Sequence, residues 1–344
     1  MNLREATGRF LPLVEAELKQ ALAAPGATVG PLYGMLQYHM GWVDAGFAPL
    51  RSDTGKRLRP ILTLLACQAA GGDPLRALPA AAAVEMVHNF SLIHDDIEDC
   101  SATRRHRVTV WKIWGEPQAI NAGDALLGMA HVELSRLAGR GVPLPQVWAA
   151  TRALQVTCVR LCQGQYLDMS FETRTDVDVE AYLEMIEGKT GALMSCAAEL
   201  GALVAGAEEA AASSYRRFGL ELGLAFQVQD DLLGIWGEEE ATGKPIADDI
   251  RQRKKTLPTV FALNQGNEAA AERLRAIYAQ EAISEEEVSE VLDILGATGA
   301  RSYVEETAHN YYRRAVAELE AAGPEGEAGQ ALLELADFIT QRCY

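Results

Sequence analysis

The chain contains no uninterrupted apolar run of about 18 residues, the length a helix needs to span a bilayer, so nothing in it is expected to cross or stably insert into a membrane. Its opening, Met1-Asn-Leu-Arg-Glu-Ala, carries no apolar stretch of the secretory kind. Positive charge is scarce: 31 Lys and Arg against 48 Asp and Glu leave a net charge of −17. That balance argues against nucleic acid as a partner and against tight binding to anionic membranes. Alternating β-branched runs are almost missing, which argues against a sheet-built fold. Cysteine is sparse. None of Cys67, Cys100, Cys158, Cys162, Cys196 and Cys343 forms a CxxC pair or clusters with histidine, which argues against zinc. Most sit in apolar stretches and read as small core residues of a chain in a reduced, cytoplasmic compartment.

Ala, Leu and Glu dominate instead, at helical spacing, and predict an all-α bundle. No linker, repeat or low-complexity tract divides residues 1–344, so a single domain is expected. The first helix is expected over 3–22, ending at Ala23-Ala-Pro-Gly26. The second, 31–46, carries Tyr33, Tyr38 and Trp42 and reads as core or as a subunit contact. Further helices are expected over 78–100, 108–114, 117–138, 143–172, 179–206 and 208–236. The remainder, 256–343, is helical with breaks near Gly266, Gly296 and Gly323-Pro324, and holds no catalytic signal.

The densest chemistry lies in Ser91-Leu-Ile-His-Asp-Asp-Ile-Glu-Asp99. Asp95 and Asp99 are four apart and share a helix face. Asp96 and Glu98 add to a charge density that is unfavourable without cations. A second pair, Asp230-Asp231, follows Phe226-Gln-Val-Gln in another helical pattern. An isolated DDxxD reads equally as a solvated acidic face. Two such patches in apolar helices suit Mg²⁺, which bridges one or two carboxylates to substrate phosphates.

Ten of the 31 basic residues fall in three short clusters: Lys56, Arg57, Arg59; Arg104, Arg105, Arg107; and Arg251, Arg253, Lys254, Lys255. Basic islands in an acidic chain suggest a small anionic ligand, although any one of them alone reads equally as a solvated helix end. Lys56 and Arg59 lie near a helix start, where backbone N–H groups also favour an anion. Arg104 and Arg105 offer forks suited to phosphate oxygens. Gln165 and Asp168 share a helix face. The Gly188-Lys-Thr190 stretch is not a nucleotide P-loop, because Leu183 stands where the first glycine belongs and no strand precedes it.

Seven ordered stretches, GKRLRP, HNFSLIHDDIED, the following RR, GQYLDM, GKTG, FQVQDDLLG and GKPIADDIRQRKKTLP, resemble the trans-isoprenyl diphosphate synthase family (polyprenyl synthetases). The resemblance covers nearly the whole chain. It implies an isoprenoid synthase helical bundle around a central cavity, a homodimer with N-terminal helices of about residues 1–50 as candidate interface elements, and Mg²⁺, three ions per active site with substrate bound. By position, Lys56, Arg59, His88 and Arg105 match the pocket for isopentenyl diphosphate. Asp95, Asp99 and Asp230 match the magnesium ligands. Arg104, Lys189, Lys244 and Lys254 match contacts to the allylic diphosphate, and Thr190 and Gln227 match polar groups beside the developing cation. Lys189 thus joins Thr190 and Gln227 as the catalytic set, while Gln165 and Asp168 resemble supporting residues. Two positions depart from the family pattern: Gly234 stands where a final Asp is usual, and His106 where a Gly is usual.

In this family the residues upstream of the first aspartate motif form the floor beneath the growing tail. Phe90 and Ser91 lie five and four positions before Asp95, and nothing is inserted between Asp96 and Asp99 beyond two residues. That pattern resembles short-chain synthases making the C20 product, geranylgeranyl diphosphate, with C15 (farnesyl) and C25 as alternatives. A class I terpene cyclase also ionises a diphosphate at aspartate–magnesium clusters, but needs no pocket for isopentenyl diphosphate. A non-catalytic partner subunit draws support only from Gly234.

Overall fold

The computed structural model describes residues 2–50, 52, 55–174, 176–237, 246–265 and 268–340. In chain order the helices are α1 (Leu3–Ala21), α2 (Gly30–His39), α3 (Leu58–Ala69), α4 (Leu78–Glu98), α5 (Val110–Trp114), α6 (Glu116–Ser135), α7 (Leu144–Thr173), α8 (Val179–Ile186), α9 (Ala192–Ala205), α10 (Glu209–Trp236), α11 (Asp248–Arg251), α12 (Leu257–Gln265), α13 (Glu268–Tyr278), α14 (Glu285–Ala297), α15 (Ala300–Ala322) and α16 (Gly326–Thr340). Among the described residues the only sheet is a hairpin of β1 (Thr103–Arg104) and β2 (Arg107–Val108). The all-α expectation holds.

Local chemistry sets the ends. Asn2 and Glu5 form a capping box at the start of α1, and Ser284 and Glu287 form another at the start of α14. The second helix is shorter than expected. It stops at His39, Gly41 turns with φ 84°, and Val43 then pairs with Pro49 in an isolated bridge. The expected helix over 179–206 is α8, a π-helical segment at Glu187–Gly191, and α9. Of the cysteines, Cys67 and Cys196 are buried as expected, whereas Cys100 and Cys162 are exposed.

The chain divides into two compact units. The first comprises residues 1–155, 196–213 and 322–332. Its centre is α4, packed by α1, α3 and α6. Ala80, Ala81, Ala82, Ala83, Val84, Met86 and Val87 are wholly buried, so α4 is apolar around most of its circumference, as a core helix must be. The small alanines let neighbouring backbones approach.

The second unit comprises residues 156–195, 214–321 and 333–344. One apolar cluster joins Phe171, Tyr182, Ile186, Leu224, Val228, Leu257 and Tyr311. Another joins Ile235, Ile250, Leu274, Val291 and Leu295 around α11 and the helices that follow it.

Candidate active site

The C-terminal turn of α4 carries Asp95, Asp96, Glu98 and the cap residue Asp99, with no basic residue in the last turn. Carboxylates at this end oppose the helix dipole, each costing about 0.3–1 kcal/mol. The structure sorts them. Asp96 is buried, and burial pushes its carboxyl up to about 6 against the pull of Arg104. Asp95 is half-buried and Asp99 exposed. Arg104 donates from Nε to Asp96 at 2.7 Å and from Nη2 to Asp95 at 3.1 Å. The Arg104 guanidinium, expected on a substrate diphosphate, is therefore already engaged with the acidic turn and holds it in place.

Arg104 ends the first strand of the hairpin, whose two turn residues, Arg105 (φ 50°) and His106 (φ 60°), are both left-handed. Such a turn suits the right-handed twist of its strands and favours Asn-Gly. His106 thus takes up a conformation that glycine adopts without strain. The turn carries Arg105 to the loop before α3, where a Cβ on Gly55 would lie 3.1 Å from Arg105 Nη2. Gly55, with φ 78°, holds a left-handed conformation that favours glycine. Lys56, exposed, is the next residue.

Arg57 follows and differs from its neighbours. It is left-handed (φ 47°) and buried, with Nε on Glu15 at 3.0 Å and Nη1 on Glu85 at 2.6 Å. Asn89 also donates to Glu85, at 2.8 Å. The cluster ties the Lys56 loop to α1 and α4. Composition alone did not separate Arg57 from Lys56 and Arg59; its partners lie 42 and 28 residues away.

Arg59 has its Nε buried with no hydrogen-bond partner among the described residues, and so does the Nε2 of His39. Desolvation pushes His88 well below its ordinary pKa, assisted by Arg59, Arg105, Arg104 and Arg57. His39 is lowered to about 3 by burial and by Arg105, Arg104, Arg57 and Arg107. Both rings are neutral at pH 7. Crowded guanidiniums with the orphaned Arg59 donor among them are the chemistry of an anion site, since an unsatisfied buried donor is costly. Lys56, Arg59, His88 and Arg105, singled out from sequence, belong to this one region.

Upstream on α4, Phe90 is 7% exposed and packs edge-on to His94 with ring centroids 5.6 Å apart. Ser91 is half-buried and donates to the His88 carbonyl at 2.8 Å. Met86 and Val87, a turn deeper, are wholly buried.

In the second unit, α7 and the π-segment cross at two glycines. A Cβ on Gly164 would lie 2.6 Å from the Gly188 carbonyl carbon and 2.8 Å from Lys189 Cα. Only glycine lets the backbones this close. The crossing brings Lys189 onto the carboxylate of Asp168 as an ion pair, and half-buried Gln165 precedes Asp168 by one turn. A π-segment often marks a functional position, and this one carries Lys189 and Thr190.

Thr190 donates to Gln227 Oε1 at 2.8 Å, and Gln227 donates to Asp231 Oδ1 at 3.1 Å. Asp231 also accepts from the Tyr182 hydroxyl and, at 3.0 Å, from the Leu257 backbone N–H. It is buried, which pushes its carboxyl up to about 7. Asp230, next to it, is exposed. One aspartate of the second pair is thus an anchor and the other is presented. The exposed or half-buried carboxylates, Asp95 and Asp99 in the first unit and Asp230 in the second, offer oxygen donors of the kind a hard divalent cation takes. Among the described residues no group of three or more His, Cys, Asp or Glu side chains is placed to hold a metal ion.

The last basic cluster is mostly structural. Arg251 pairs with Glu285, Arg253 donates to the Gln280 carbonyl, and Lys255 donates to the carbonyls of Phe171 and Glu172 at the end of α7. Lys254 is exposed. Lys244 lies outside the described residues.

The model of the polyprenyl synthetase family matches residues 42–295. The chain belongs to the polyprenyl synthetase family. This polyprenyl synthetase is 42% identical over 312 residues to geranylgeranyl diphosphate synthase of Mycobacterium tuberculosis, covering 91% of this chain and 87% of that one. It is 41% identical over 312 residues to (2E,6E)-farnesyl diphosphate synthase of Mycobacterium bovis, covering 90% and 85%. Polyprenyl synthetase from Streptomyces coelicolor A3(2) superimposes with a TM-score of 0.88 at 39% identity, over 98% of each chain. Geranylgeranyl pyrophosphate synthase from Corynebacterium glutamicum, solved with isoprenyl diphosphate and magnesium, gives 0.82 at 28% identity, over 99% of this chain and 100% of that one. The fold is the all-α isoprenoid synthase fold, and the chain is a short-chain trans-prenyl diphosphate synthase, a prenyltransferase. No described helix is long and apolar enough to cross a membrane.

Proposed function

We propose that this polyprenyl synthetase condenses isopentenyl diphosphate with an allylic diphosphate to give geranylgeranyl diphosphate, the C20 all-trans product. The observation that carries the two-substrate reading is the anion site of the first unit. Arg59 holds an orphaned buried donor and His39 an orphaned ring nitrogen among guanidiniums, and an enzyme that ionised one diphosphate and cyclised it would have no use for them. Lys56, Arg59, His88 and Arg105 bind the diphosphate of isopentenyl diphosphate. His88 is neutral there and orients the ligand through a hydrogen bond without adding charge.

Asp95, Asp99 and Asp230 would hold Mg²⁺, three ions with substrate bound. Magnesium supplies Lewis-acid neutralisation of the charge that grows on the departing diphosphate. Lys189, Lys244, Lys254 and Arg104 add fixed positive potential on the same leaving group. The ion pair with Asp168 orients Lys189, with Gln165 supporting that face. Thr190 spends its hydroxyl proton on Gln227, so its oxygen lone pairs remain to face the carbon that becomes positive. The anchored Asp231 fixes the Gln227 amide in the orientation this requires.

The two Mycobacterium relatives are a farnesyl (C15) and a geranylgeranyl (C20) diphosphate synthase. Phe90 and Ser91 below Asp95, with an uninserted motif, favour C20. The whole chain acts as one catalytic domain and works as a homodimer. Val156, Val159, Tyr166 and Met169 of α7 are exposed at 51%, 58%, 71% and 44% and recur at helical spacing on one face, an apolar stripe suited to a second copy, and the N-terminal helices are a further candidate contact. Incubation with isopentenyl diphosphate, each of the C5, C10 and C15 primers and Mg²⁺, followed by product sizing, tests the reading. Consumption of the allylic substrate without isopentenyl diphosphate would replace it with a cyclase.

A further inference from the structure

Position 234 is one helical turn beyond Asp230 on α10, so a side chain there would share the face that presents Asp230. The residue is glycine, yet the space is not empty. A Cβ at 234 would overlap Oδ2 of Asp249 outright and lie 2.6 Å from its carboxyl carbon. A carboxylate therefore stands where a side chain of residue 234 would stand, delivered from α11 instead of α10.

The delivery is built in. Ala247, left-handed at φ 61°, donates its N–H to the Ile235 carbonyl at 3.2 Å, which docks the start of α11 on the end of α10 one residue past Gly234. The Lys254 N–H then returns to the Asp249 carbonyl at 2.9 Å, so the turn bearing exposed Lys254 closes on the same residue. Asp249 is only 8% exposed and is held at the glycine by this frame. Any side chain at 234 would displace it.

We propose that Asp249 is the positioning carboxylate of the second acidic site: it supplies beside Asp230 the negative charge that Gly234 lacks, and it orders the water shell of the cation held there. The inference rests on the reading of Asp230 as a magnesium ligand. Gly234 is then the opening through which a carboxylate from another element enters, and not a sign of lost function.

The test is titration of Mn²⁺, followed by electron paramagnetic resonance, into the full chain with inorganic pyrophosphate, with a thermal melt of each variant as a fold control. Asp249→Asn should weaken Mn²⁺–pyrophosphate binding about tenfold or more, as loss of a group supporting a metal ligand does. Gly234→Asp, which restores a carboxylate on α10, should also weaken binding, because it evicts Asp249. The double variant Gly234→Asp/Asp249→Gly exchanges the source of the carboxylate and should recover affinity to within about threefold. The double variant keeps the test decisive if either single variant folds poorly. Asp230→Asn separates the two levels. If Asp230→Asn weakens binding while Asp249→Asn titrates like the parent, the role of Asp249 is overturned. Failure of the double variant to regain affinity would overturn it as well. If Asp230→Asn itself titrates like the parent, the underlying magnesium reading is overturned.

Discussion

The crossing of α7 with the π-segment gives the sharpest single perturbation, Gly164→Ala. The added carbon would overlap the Lys189 backbone nitrogen and lie 2.6 Å from the Gly188 carbonyl carbon, where ordinary contact begins at 3.4 Å. All three close atoms are backbone, so no side chain can swing aside. The helices must part by about 1 Å, an overpacking strain of about 1–3 kcal/mol. For a chain of this size that lowers the melting temperature by about 1–2 °C per kcal/mol. The displaced segment carries Lys189 and Thr190, and a 1 Å misplacement of a catalytic group costs roughly 10²-fold in rate. Calorimetry and steady-state kcat read the two effects. Gly8→Ala is the control: Gly8 lies inside α1, a Cβ there meets nothing within 4 Å, and alanine should stabilise by up to about 1 kcal/mol. A Gly164→Ala protein that melts like the parent with unchanged kcat would refute the close-crossing argument.

Three further perturbations probe other parts. Glu85→Gln leaves Arg57 with Glu15 as its one charged partner and should cost about 1.5–3 kcal/mol, read from denaturant unfolding, since a charge-assisted hydrogen bond is weakened. His39, lowered to about 3 when folded, binds a proton more readily unfolded, so its contribution is complete above about pH 6.5 and is lost as pH falls towards 3; at about pH 5 the loss is about 2 kcal/mol. His39→Gln, which cannot protonate, should gain about that amount of stability at pH 5 relative to the parent, measured against a background in which His88 works in the same direction and Asp96 and Asp231, raised to about 6 and 7, work in the opposite one. Phe90→Ala removes a 7%-exposed ring from below Asp95 and should lengthen the product beyond C20 at retained turnover; an unchanged product would move the floor to Met86 or Val87.

Much of the site was legible because its chemistry is local. The spacing of Asp95 and Asp99 is a property of any helix, and Gln165 with Asp168 needed only the same rule. What spacing cannot give is how each helix is rotated. Asp96 and Asp231 each adjoin a presented aspartate, and only the packing of α4 and α10 decides that these two turn inward to meet Arg104 and Tyr182. The π-segment was invisible for a related reason. Glu187–Gly191 falls inside a helical pattern that continues on both sides of it, and its extra residue per turn accompanies the close approach of Gly164 to Gly188. Arg57 looked like its cationic neighbours, because its acceptors come from α1 and α4. Charge-rich Lys254 and Lys255 looked alike too, until Lys255 was found on the C-terminal carbonyls of α7.

The central claim is that two diphosphates are joined here with the aid of magnesium. The most direct measurement is incubation of the purified chain with radiolabelled isopentenyl diphosphate, an unlabelled C15 allylic diphosphate and Mg²⁺, with and without a chelator, and sizing of the labelled product. The account predicts label in a linear C20 diphosphate and none once the metal is sequestered. Label that stays in isopentenyl diphosphate while the allylic substrate disappears, or incorporation that survives the chelator, would contradict it.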